Sequence, residues 1–166
     1  MIFGRPQPPK RSVGSERIDG LVRERLAGAD EDALRVVVAV TGLLACIAYA
    51  DREYSASEQA LVRQILGRMQ GLSEQAVEAI CSALRDHIVE IAASNTQTYT
   101  RDLRELGEPE LRREVLDALV DLAASDGELS MPETDLLRRT AATMGLSQDA
   151  YLESQSRYRE RLSVLK

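Results

Sequence analysis

Acidic residues recur at matched positions in two short stretches of this chain: Asp51, Glu53 and Glu58 in the first, and Asp126, Glu128 and Glu133 in the second, 75 residues further on. Gathered carboxylates are what hard divalent cations require, since such ions take about 6–8 oxygen ligands. Asp126 and Glu128, with Asp51 and Glu53 as their first-copy counterparts, are therefore the candidate metal residues. Two features weigh against a tight site. The spacing is not that of a calcium-binding loop, and Arg52 places a cation between Asp51 and Glu53. Glu58 and Glu133 also have another use. Ser55-x-x-Glu58 and Ser130-x-x-Glu133 are capping boxes, in which the serine oxygen accepts an amide hydrogen from the first helical turn and the glutamate reaches back to the serine amide.

Other chemistry-bearing residues are sparse. His87 is the single histidine, placed on the apolar side of a helical pattern with no defined nucleophile or orienting acid, and is expected to be a packed residue. The chain has no GxSxG, HExxH, phosphate-binding loop or dinucleotide-binding glycine pattern, so no catalytic residue is assigned and no enzyme activity is expected. Cys46 and Cys81 each lie in a helix-forming apolar run and are read as reduced core thiols. Near the C-terminus Tyr151, Tyr158 and Leu165 recur seven residues apart with Leu162 beside them. That stripe is the candidate partner-binding surface, suited to a partner helix or to the same helix of a second copy in a homodimer.

The elements that must position these residues are all helical. Ser15 is expected to cap a first helix carrying Ile18, Leu21, Val22 and Leu26, and Asp30, Glu31 and Asp32 crowd the start of a second, where negative charge suits the helix dipole. Val36–Ala50 is uncharged, but at about 1.5 Å per residue it covers only about 22 Å, too short for a bilayer and suited to a buried central helix. Leu61, Ile65 and Met69 form the stripe of a third helix, and Val77, Ile80, Leu84, His87, Ile88 and Ile91 that of a fourth. Residues 92–97 have a loop composition. A short helix is expected over Tyr99–Leu106, then one whose buried face is Leu111, Val115, Ala118, Leu119 and Leu122. Two more begin near Met131 and Gln148. No period-two alternation of strand length occurs. The fold class is all-α, a bundle of about seven to eight helices over residues 15–166. Residues 1–14, with three prolines and the cations Arg5, Lys10 and Arg11, read as a flexible basic arm.

Composition agrees. Lys and Arg total 21 against 27 Asp and Glu, giving a net charge of −6, and aromatic residues are 4% with no Trp and one Phe. An acidic chain with few stacking rings is not a nucleic-acid binder. With no apolar signal segment and no membrane span, a cytoplasmic location is expected. Contact with an anionic membrane surface or an acidic partner is left to the basic arm.

The acidic stretches belong to a longer self-similarity. Ala50-Asp-Arg-Glu-Tyr-Ser-Ala-Ser-Glu58 aligns with Ser125-Asp-Gly-Glu-Leu-Ser-Met-Pro-Glu133, continuing through Leu61 with Leu136 and Met69 with Met144 to Gly71-Leu-Ser73 with Gly145-Leu-Ser147. This is a duplicated helix–loop–helix unit. Ala124-Ser-Asp-Gly-Glu-Leu-Ser-Met-Pro-Glu133 with Met144-Gly-Leu-Ser147, together with Ala48-Tyr-Ala-Asp-Arg-Glu-Tyr-Ser55 and Tyr99-Thr-Arg-Asp-Leu103, resembles the TerB-like family over residues 35–155. That family covers bacterial tellurite-resistance TerB proteins and the N-terminal region of the DnaJ-like co-chaperone DjlA. The resemblance implies an all-α domain and a non-catalytic interaction or scaffolding module in a bacterial tellurite, metal or envelope stress response, with a protein partner. A metal-responsive module using the Asp-x-Glu loops is the alternative, and an unrecognised enzyme the third reading. Arg52 departs from the family's glycine, and the chain lacks the His-Pro-Asp of a J domain, so no J-domain activity carries over. No cofactor is expected beyond that alternative divalent metal. Calorimetric titration with Ca²⁺, Mg²⁺ and Zn²⁺ should show no sub-micromolar binding; tight binding abolished by Asp126→Ala would overturn this.

Overall fold

The computed structural model describes residues 13–93, 96–125 and 129–164. Among these the chain forms α1 (Val13–Arg25), α2 (Glu31–Ala48), α3 (Ala56–Gly67), α4 (Glu74–Ala92), α5 (Thr96–Leu106), α6 (Pro109–Ala123), α7 (Met131–Thr143) and α8 (Gln148–Val164), with no strand. The all-α class and the number of helices match the expectation.

At the centre is α2. Asp30 caps it, its Oδ1 accepting the Ala33 amide at 2.7 Å, and Glu31 and Asp32 add negative charge to the first turn. Behind this polar start every residue from Val37 to Ala48 is buried. Leu43, Leu44 and Ile47 meet Leu84 and Ile91 of α4, Leu103 of α5 and Leu119 of α6 in one continuous core. Each such side chain, fully withdrawn from water, contributes about 1.5–3 kcal/mol. The close approach of α5 to α2 depends on Gly42 having no side chain: a Cβ there would stand 2.4 Å from ring carbons of Tyr99. Arg35 at the start of α2 pairs with Asp102 of α5, closing the same seam at its solvent edge.

Three local expectations change on packing. Ser15 does not cap α1; it lies inside the helix and is buried, because α1 already runs from Val13 and presses onto the last turn of α4. A Cβ on Gly14 would be 2.2 Å from the Glu90 carbonyl oxygen, so the contact fixes where α1 docks. The arm read over residues 1–14 otherwise lies outside the described residues. Second, α5 begins at Thr96, ahead of the expected Tyr99, and the Thr100 hydroxyl donates back to the Thr96 carbonyl at 3.1 Å. Third, the fully buried line of α3 is Val62 and Leu66, whereas Leu61, Ile65 and Met69 are only half-buried. One residue is 100° of helical rotation, so the expected stripe is turned to the flank of the core.

The Gly42–Tyr99 contact makes a direct prediction. Gly42→Ala should lower unfolding stability by about 1–3 kcal/mol through overpacking against an enclosed ring, read as a lower urea midpoint. Gly20→Ala, where the added methyl meets nothing within 4 Å, is the control that should not destabilise.

Candidate functional site

The two acidic loops are explained first by their helix starts. Ser55 Oγ accepts the Glu58 amide at 3.2 Å and Glu58 Oε2 accepts the Ser55 amide at 2.9 Å. Ser130 Oγ accepts the Glu133 amide at 3.2 Å and donates to Glu133 Oε1 at 2.7 Å. Both glutamates are buried in this role, at 4% and 6% exposure. Asp51 is exposed and its Oδ1 accepts the Glu53 amide at 3.1 Å, a turn closed on itself. Arg52 takes a left-handed backbone, φ 66°, at the place where the second copy carries Gly127. Asp126, Gly127 and Glu128 lie outside the described residues, and among the described ones no three His, Cys, Asp or Glu side chains converge where an ion could sit.

Of the C-terminal stripe, Tyr151 is enclosed and Tyr158 is half-buried. Tyr151 is 1% exposed, its hydroxyl accepting from Gln155 Nε2 at 2.7 Å. Half-buried Tyr158 donates its hydroxyl to the Ala124 carbonyl at 2.8 Å. Between them Ser154 donates to Asp117 Oδ1 at 2.6 Å, and Arg157 meets the other oxygen of Asp117 at 3.1 Å. The bonds to Asp117 fasten α8 to α6 and the bond from Tyr158 holds it to the residue that follows α6, whereas the Tyr151–Gln155 bond lies within α8. The Leu162 side chain and Leu165 lie outside the described residues.

His87 is half-buried and occupies a kink of α4, with φ −131° and ψ 25°. Burial pushes the Cys46 thiol up to about 12, which keeps it protonated and unreactive at neutral pH. Cys81 is half-buried and its thiol is also raised by burial.

What the fold opens to solvent is a groove of about 1730 Å³ between α2, α3 and α6, flanked by the end of α8. Its floor is apolar: Val36 and Val40 of α2, Leu61 and Ile65 of α3, Leu111 and Val115 of α6. Its rim is acidic, with six carboxylates, among them Asp30, Asp32, Glu114 and Asp121, against Arg68 and Arg157. A small-molecule pocket is about 300–1,000 Å³ and largely enclosed; this wider, open trough suits a polypeptide segment. Tyr158 of the C-terminal stripe also lines the groove, beside Arg157; the other groove residues did not stand out as a site in the sequence. The signal was present in α3, where Leu61 and Ile65, with Met69 just past the helix end, lie one step from Val62 and Leu66, giving an apolar face broader than the fully buried line.

Residues 37–155, most of the chain, match the family model described as tellurite resistance protein TerB. No curated protein and no solved structure matches the chain.

The loops respond to substitution as caps. Ser55→Ala and Ser130→Ala should each cost about 1 kcal/mol of unfolding free energy. Arg52→Gly should instead raise stability by about 0.5–1 kcal/mol, because relief of the left-handed backbone exceeds the entropy cost of glycine; chemical denaturation of the three variants reads both signs.

Proposed function

The chain belongs to the TerB family, and from that membership we propose that this tellurite-resistance-associated helical module works in a bacterial stress response without bond chemistry, by docking a segment of a protein partner. The observation that carries the reading is the groove between α2, α3 and α6. Half-buried Leu61, Ile65 and Leu111 leave apolar surface in water that the core does not need, and the carboxylates around them select what can cover it. The fitting ligand is a segment with apolar residues at its centre and Lys or Arg at its flanks: the centre supplies affinity by burial, and the flanks supply orientation and a faster encounter. Tellurite, or the stress that accompanies it, would then be met by the assembly and not by a catalytic site on this chain.

Site-specific photo-crosslinking in the native host tests this. A crosslinker at position 65 should capture a discrete partner, whereas one at position 89, where Val89 is 60% exposed on α4, should not. Ile65→Glu should weaken binding of the captured partner about tenfold or more, roughly 1.4 kcal/mol, with helicity unchanged. Equal capture from both positions, or no capture at position 65, would overturn the reading.

A further inference from the structure

Each of the three walls turns a helical stripe toward the groove. On α2 it runs from Ala33 through Val36 and Val40 to Leu44, about 16 Å along the axis. On α6 it runs from Leu111 through Val115 and Ala118 to Asp121, about 15 Å. α3 adds the shorter stripe of Leu61, Ile65 and Arg68. The steps are of three and four residues throughout, so the surface is made of helical ridges, and the hollows between such ridges are shaped to take the side chains of another helix.

The same walls are poorly suited to an extended occupant. Helices in the walls spend their backbone N–H and C=O groups on their own turns, the floor is apolar side chains, and no strand edge occurs among the described residues. A segment laid there as a strand would bury amide groups without partners, whereas a helix satisfies its backbone internally and presents only side chains. A second copy of this chain is a poor donor of that helix. The exposed large hydrophobic residues among the described ones, Val89, Met131 and Leu152, stand singly on α4, α7 and α8, and form no stripe that a neighbour could insert.

We propose that the groove is the seat of one amphipathic helix from a different protein, with about eleven of its residues covered. Its apolar residues, three and four apart, face Val36, Val40 and Ile65, and Lys or Arg on the flanks of that stripe meet a rim that carries six carboxylates against two arginines. The proposal rests on reading the groove as a docking site, and it adds the conformation, length and spacing of what docks there.

Photo-crosslinkers introduced one at a time at positions 111 and 121 of the full chain, in the native host, read the rise per residue of the docked segment. The two positions lie about 15 Å apart along α6, a distance covered by about ten residues of helix or by about four or five of extended chain. Mass spectrometry of the crosslinked peptides should place the two attachment points about ten residues apart in one segment of the partner. A synthetic peptide of that segment should gain helicity on mixing with the purified chain, and proline at its centre should weaken binding about tenfold or more. Attachment points only about four or five residues apart, or a proline peptide that binds equally well, would overturn the helix and leave the groove as a docking site for an extended segment. Attachment to peptides of this same chain would put a second copy or a terminus in the groove and overturn the proposal too. Absence of any capture from positions 65, 111 and 121 would remove the docking reading itself, and the helix with it.

Discussion

From Val37 to Ala48 α2 has no residue in water, and a helix with no exposed face cannot be stabilised by one neighbour. It needs to be enclosed, and the remaining helices answer that need. α1 and α4 close one side, α5 lies across Gly42, and α6 and α7 complete the ring. The α2–α5 contact depends on the absence of a side chain: Tyr99 occupies the space that any Cβ at position 42 would claim. Arg35 of α2, at the edge of the same seam, then finds Asp102 of α5. One buried helix thus dictates where an aromatic ring, an ion pair and a glycine have to be.

The polar chemistry of the chain follows from the same enclosure. Short helices packed around a centre have many ends near the interior, and every end leaves amide or carbonyl groups in need of partners. Asp30, Ser55, Ser73 and Ser130 supply caps at four helix starts, and Glu58 and Glu133 complete two of them as buried carboxylates. At a helix C-terminus Arg112 Nη1 donates to the Met144 carbonyl at 2.8 Å. Two of the six carboxylates in the paired loops, Glu58 and Glu133, are thus engaged as caps. Six carboxylates, the capping Asp30 among them, also border the α2–α3–α6 groove, where they flank apolar side chains.

The paired segments differ in how they use the same frame. Gly71 and Gly145 both take positive φ, and Ser73 and Ser147 both accept an amide three residues on, from Ala76 and Ala150. Beyond that point Val77, Ile80 and Leu84 of α4 stand where α8 has Tyr151, Ser154 and Tyr158. Hydroxyls replace methyl groups, and each of the three takes part in a hydrogen bond, with Gln155, Asp117 and Ala124 respectively. α8 is held by directed bonds at the rim of the bundle, α4 by apolar burial within it.

By itself the sequence determined what is local. Helix starts at Asp30, Ser55, Ser73 and Ser130, the uncharged run of α2 and the paired loops were legible because caps and helical periods involve residues within a turn of one another. Rotation of a helix about its own axis is not local, and the tertiary structure decided it. α3 carries two adjacent apolar stripes, one continued by Met69 just past its end, and only the positions of α2, α4 and α6 determine that Val62 and Leu66 go in while Leu61, Ile65 and Met69 line the groove. The tyrosines of α8 are the same case: their spacing marks a face, but only the packing of α8 on α6 and its end determines that Tyr151 is enclosed while Tyr158, bonded to the Ala124 carbonyl, borders the groove. Ser15 lost its expected cap for the same reason, since the docking of Gly14 on α4 was invisible to any pattern confined to neighbouring residues.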